Sequence, residues 1–151
     1  MLKNIDPLLT PALLHVLASM GHGDEIVIAD ANFTAHSLAG SRPLVDLPGA
    51  GVRRAVRAVM TLLPLDQYVA QPVAYMHVGD QPPDYRSALQ RDVIADLVTG
   101  GHATSDQCEA IERFAFYARV KHAFAIVHTG ELQPYANFIL KKGVISDALL
   151  P

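Results

Sequence analysis

A chain of 151 residues, half hydrophobic and 18% charged, has the length of one domain and the composition of a packed core, which excludes disorder. Twelve basic against fifteen acidic residues give a net charge of −3. That balance, with no Trp and only five Tyr and five Phe, argues against a nucleic-acid groove, a base-stacking platform or a polybasic membrane contact.

Cys108 is the only cysteine, so neither an internal disulfide nor a cysteine-cluster zinc site is available. The early apolar run over residues 8–20 is flanked or broken by Asp6, Pro7, Pro11 and His15, and no small-x-small cleavage site follows it. No run approaches the eighteen or more apolar residues of a membrane span. The expectation is a soluble, cytoplasmic, single domain over residues 1–151.

In chain order, Thr10-Pro11 opens a helix with a hydroxyl cap and a proline at the first position. Leu13, Leu14, Leu17 and Met20 follow at helical spacing, and Gly21 closes it. Glu25-Ile26-Val27-Ile28-Ala29 reads as a buried strand ending at Asp30, and residues 32–42 as a polar loop carrying His36 and Ser37. A second helix is predicted over residues 52–63, and a strand over 73–78 with alternating faces. Further helices are predicted at about 84–98 and 114–122. Strands are predicted at 123–127 and near 137–140, the latter followed by Lys141-Lys142-Gly143. Helices alternating with short apolar strands predict an α/β fold, layered around a largely buried sheet.

Four polar clusters fall at the ends of these elements, where such a sheet places its ligand. His22 sits between Gly21 and Gly23. It is a natural proton carrier near neutral pH, though a helix C-terminus would also account for it. Asp30 can bind hydroxyls or orient an imidazole, or cap its own loop. Arg113 and Tyr117 are four apart on one helix, and Tyr135-Ala136-Asn137 offers a phenol and an amide suited to sugar hydroxyls. Each of these last two also reads as ordinary surface or turn. The seven histidines are scattered, with no His-x-x-x-His or His-Glu-x-x-His pair. Gly49-Ala50-Gly51 does not make a phosphate loop, and Ser37 and Cys108 lack a nucleophile motif.

In order, Gly21-His22-Gly23-Asp24-Glu25, Ala29-Asp30-Ala31, Ala35-His36-Ser37, Arg113-Phe114-Ala115-Phe116-Tyr117, Ala123-Phe124-Ala125-Ile126-Val127, Thr129-Gly130-Glu131, Tyr135-x-Asn137 and Leu140-Lys141-Lys142-Gly143-Val144 resemble the sugar mutarotase family. That family joins L-fucose mutarotases to D-ribose pyranases, and the match covers nearly the whole chain. Gly23, Ala35-His36-Ser37 and Arg113 resemble the fucose branch, whereas Tyr135-Ala136-Asn137 is nearer the ribose type. The resemblance implies a cofactor-independent isomerase that interconverts α and β anomers by acid–base ring opening and closure. It makes His22 the proton donor and Tyr117 a second acid–base group. Asp30, Arg113, Tyr135, Ala136 and Asn137 would bind the monosaccharide, L-fucose or a related aldose. No metal is implied, and family members assemble into rings, often decamers, so a homo-oligomer is expected. The alternatives are a D-ribose pyranase-type isomerase, a non-catalytic sugar-binding protein, and a metal-dependent hydrolase using His22, Asp24, Asp30 and His36.

Overall fold

Thr10 begins the first helix as its chemistry requires. In the computed structural model, which describes residues 2–146, α1 runs Pro11–Ser19 and the Thr10 hydroxyl accepts the Leu13 amide at 3.3 Å. The expected domain of residues 1–151 therefore includes Met1 and 147–151, which lie outside the described residues. Then follow β1 (Glu25–Ala29), α2 (Ala35–Ala39), β2 (Leu44–Leu47), α3 (Val52–Met60), β3 (Val73–Met76), α4 (Ala88–Thr99), β4 (Cys108–Ile111), α5 (Arg113–Val120), β5 (Ala125–Thr129) and β6 (Phe138–Lys141).

The six strands form one sheet in the order β2-β5-β1-β6-β3-β4. Five run in one direction, and β6 alone is antiparallel to both its neighbours, β1 and β3. Both faces are covered, which explains why the inner strands are almost wholly apolar. Ile26, Ile28, Phe138 and Leu140 pack toward α1, α3 and α4. Val27, Ala29 and Ile139 pack toward α2 and α5, with Phe33, Phe116 and Val120. The expected α/β layering around a buried sheet is what forms.

Several boundaries differ from the sequence reading. Residues 32–42 contain α2 rather than only loop, and β2 and β4 were not expected at all. The strand expected at 73–78 stops at Met76, with all four of its residues buried, so its alternation reflects two apolar faces rather than one wet face. The strand expected at 123–127 is shifted to Ala125–Thr129, because pairing with β2 extends to Thr129. The predicted start of α4 moves to Ala88, where Ser87 and Gln90 make a reciprocal capping box. Among the described residues no helix is long and apolar enough to cross a membrane.

Candidate functional site

The reversal of β6 sets the geometry of everything polar around it. Because β6 runs against β1, its beginning lies beside the end of β1 and its end beside the beginning of β1. Asp30 therefore meets Asn137, while the Gly21–Asp24 turn meets Lys142.

At the carboxyl end of β1, Asp30 is 3% exposed and Asn137 2%. The Asn137 amide nitrogen donates to Asp30 Oδ2 at 2.9 Å, and Asn137 Oδ1 accepts the Asp30 backbone N–H at 2.9 Å. The Asn32 amide donates to Asp30 Oδ1 at 3.0 Å. This reciprocal pairing satisfies both buried side chains and fixes the carboxylate on the cleft floor. Burial pushes the Asp30 carboxyl above the ordinary carboxylate range, only partly opposed by hydrogen bonds from Asn32, Asn137, Ala136 and Phe33.

The cleft above is about 210 Å³ and is lined by Asp30, Asn32, Arg113, Tyr117, Tyr135 and Asn137, with Phe33, Met76 and Pro134 as apolar walls. Arg113 opens α5, and Glu112 just before it caps the helix through the Phe114 and Ala115 amides. One helical turn on, the Tyr117 hydroxyl accepts from Arg113 Nε at 2.9 Å, and the guanidinium lies 5.4 Å from the Tyr117 ring centroid. Tyr135 reaches the cleft from a left-handed backbone, φ 61°. Ala136 is buried and does not line the cavity; its contribution is its backbone amide, directed at Asp30.

His22 is elsewhere. It lies before β1, and a five-residue strand spans about 16 Å, so it cannot reach the cleft of its own chain. Its Nε2 is 3.2 Å from Oδ2 of Asp66, which is 2% exposed. A carboxylate only accepts, so in the neutral ring Nε2 carries the hydrogen and Nδ1 is the acceptor. Asp66 Oδ1 takes the Tyr68 amide, and the Tyr68 ring stands edge-on to the imidazole at 6.0 Å. Lys142 Nζ closes the last carbonyls of α1, donating to Leu17 and Met20 at 2.9 and 2.5 Å, which anchors the turn that carries His22. Gly143 has to be glycine: a Cβ there would lie 2.5 Å from the Leu65 carbonyl oxygen, in the segment that delivers Asp66. His22, Asp24, Asp30 and His36 are not brought together, which leaves the hydrolase alternative without a site.

A family profile described as the RbsD / FucU transport protein family matches residues 3–145. The chain belongs to that family. Human fucose mutarotase is 44% identical over 148 residues, covering 96% of this chain and 95% of the relative. The L-fucose mutarotase of Actinobacillus pleuropneumoniae serotype 5b is 43% identical over 144 residues, covering 95% and 97%. The structure of the Streptococcus pneumoniae fucose mutarotase in complex with L-fucose superposes with a TM-score of 0.86 at 36% identity, covering 96% of this chain and all of the other.

Two residues of this RbsD / FucU chain escaped the sequence reading. Asp66 lies in an unremarkable loop, and only the fold shows it beneath His22. Gln90 is fully buried and donates from Nε2 to the carbonyls of Met76 at 2.8 Å and Tyr135 at 3.0 Å, tying β3 to the turn that presents Tyr135. A buried glutamine three residues after a serine had a signal in the capping box, but nothing in sequence showed its second role.

Proposed function

We propose that the chain is a sugar mutarotase that interconverts the α and β anomers of L-fucose, acting as a cytoplasmic homo-oligomer. The observation that carries this reading is the cleft built on the Asp30–Asn137 pair, in a family whose similar members are named for this reaction. The cleft has a polar floor and mixed walls, in which Phe33, Met76 and Pro134 are apolar beside Arg113, Tyr117 and Tyr135, which suits a deoxy sugar with several hydroxyls and one methyl group. The buried Cys108, its thiol pushed up to about 11 by burial, is inert and consistent with a reducing compartment.

Mutarotation opens the hemiacetal, rotates about C1–C2 and closes on the other face. One proton must reach the ring oxygen and one must leave the anomeric hydroxyl. Asp30 and Asn137 hold hydroxyls in register from the floor, and Tyr135 and Arg113 close the sides. Arg113 occupies a lone pair of the Tyr117 oxygen, which leaves the phenol hydrogen free to donate to a sugar oxygen. His22 Nδ1, in the neutral ring, is the complementary acceptor, and on closure it returns that proton as the donor the resemblance implies.

Since His22 and Asp30 sit at opposite ends of β1, they act on the same sugar only when two copies of the chain share a site. Exposed apolar side chains flank both half-sites: Tyr68 beside His22, and Phe114 and Leu132 near the cleft, each more than 70% exposed. A second copy covering them would bury these surfaces and complete the site at once.

The test is saturation transfer between the anomeric proton signals of L-fucose with catalytic amounts of protein. His22→Ala and Asp30→Ala should each abolish the acceleration. Co-assembled in equal amounts, the two variants should recover activity in about a quarter of the sites, since half the chains supply each intact half. Failure to recover would sink the shared site while leaving the reaction itself untouched. No acceleration by the parent protein with L-fucose would remove the mutarotase reading.

A further inference from the structure

Outside the cleft, three ligand-type side chains converge at the carboxyl ends of β2 and β5. Asp46 and His128 are direct partners in the parallel pairing of those strands, so their side chains leave the sheet on the same face. His36, on α2, closes the group, and one ligand atom from each residue lies within 4.8 Å of the other two. Asp46 Oδ1 is 3.1 Å from His128 Nδ1 and 3.5 Å from His36 Nε2, with the two rings edge to face at 5.8 Å. None of the three lines the cleft.

The hydrogen bonds decide where the protons are. His128 Nε2 is 3.2 Å from the Ala31 carbonyl oxygen, which can only accept, so Nε2 carries a hydrogen. In the neutral ring, Nδ1 is then a lone pair aimed at a carboxylate oxygen that also has only lone pairs to offer. A second proton on His128 would relieve that one contact. A divalent cation held between the three ligand atoms relieves it as well, with His36 Nε2 offering its lone pair.

We propose that His36, Asp46 and His128 bind a divalent transition metal of the zinc class. Two imidazole nitrogens and one carboxylate oxygen are its usual ligands, at about 2.0–2.2 Å, which in tetrahedral geometry separates ligand atoms by about 3.3 Å. The two distances from Asp46 Oδ1, 3.1 and 3.5 Å, bracket that spacing. Asp46 and His128 are set by the sheet, and exposed His36 adjusts with a small side-chain rotation. The bond from His128 Nε2 to the Ala31 carbonyl is the outer hydrogen bond by which a ligating histidine is held in orientation. Three protein ligands leave a fourth position to water. Ala31 directly follows Asp30, so the metal braces the turn beside the sugar cleft without entering it. This site stands independently of the mutarotase reading.

Untagged protein, stripped with a chelator, would be titrated with Co2+ by visible absorption and with Zn2+ by calorimetry. The expected result is one equivalent per chain, with the intense visible bands of four-coordinate cobalt. His36→Ala, Asp46→Asn and His128→Ala should each weaken binding by about tenfold or more. His22→Ala, which removes the other carboxylate-paired imidazole, should leave it unchanged. His22, His36 and Asp46 are exposed or half-exposed and His128 is partly buried, so circular dichroism of each variant checks that the fold is kept. Absence of saturable binding overturns the proposal, as does full-strength binding in His36→Ala and His128→Ala.

Discussion

The two ends of β1 solve opposite problems with the same kind of group. At its carboxyl end the carboxylate faces the cavity: Asp30 is buried, held by Asn137 and backbone amides, and lines the cleft. At its amino end the carboxylate is the support: Asp66 is buried and an exposed imidazole stands on it. One end offers a shaped pocket with no histidine in its lining. The other offers an oriented imidazole away from that pocket. Each end lacks what the other has, and the length of β1 keeps them apart within a chain, while the reversed β6 brings Asn137 to one end and Lys142 to the other.

The largest effect should come from breaking the pocket's floor. Asn137→Ala leaves the buried Asp30 N–H without an acceptor and one carboxylate oxygen without a donor. A loss of about 3 kcal/mol is expected in denaturant unfolding, with catalysis lost as well. The corresponding break at the other end should spare stability and touch turnover. Asp66→Asn keeps the shape but can no longer accept from both His22 and the Tyr68 amide, so the imidazole loses its fixed tautomer. A kcat lower by on the order of 10-fold to 100-fold, with KM unchanged, is the expected kinetic result. The double variant with His22→Ala should be no worse than His22→Ala alone. A KM effect instead would place Asp66 in support of the pocket rather than of the proton carrier.

The contrast between inner and edge strands explains what could be read from sequence. β1, β3, β5 and β6 each have two neighbours and two covered faces, so their residues are nearly all apolar and stand out. β2 and β4 are the sheet's edges, each four residues long. Leu44-Val45-Asp46-Leu47 and Cys108-Glu109-Ala110-Ile111 carry an acid inside the run, whereas among the inner strands the one acid, Glu25, stands at the end of β1. α2 is five residues with no side-chain cap, too short to announce itself by periodicity. Asp30, Arg113, Tyr117, Tyr135 and Asn137 were legible as candidates because Asp30 follows β1, Arg113 opens α5 with Tyr117 one turn on, and Tyr135 and Asn137 lie just before β6. Their convergence follows from the direction of β6, which no local pattern encodes, whereas the separation of His22 from them follows from the strand between His22 and Asp30. Likewise, His36, Asp46 and His128 come from three elements, two of which the sequence did not reveal.

The same two ends should respond oppositely to pH, and the smallest predicted effect tests this. At the amino end, burial would raise the Glu25 carboxyl, but hydrogen bonds and charge from Arg119, with Lys141 nearby, outweigh it and hold it below its ordinary value of 4.5. A lowered folded value contributes stability that is present above the unfolded value and is lost as pH falls through the folded one. Asp30 has the opposite sign: its raised value favours the folded state at low pH, and that contribution fades as pH rises through it. Arg119→Ala should therefore cost about 2 kcal/mol at pH 7, between the values for exposed and fully buried pairs. The gap in Tm between parent and variant should close as the pH drops below about 4.5, where Glu25 is protonated in the variant and then in the parent. A gap that persists unchanged to pH 3 would mean that Arg119 stabilises the fold by packing its stem rather than by pairing with Glu25.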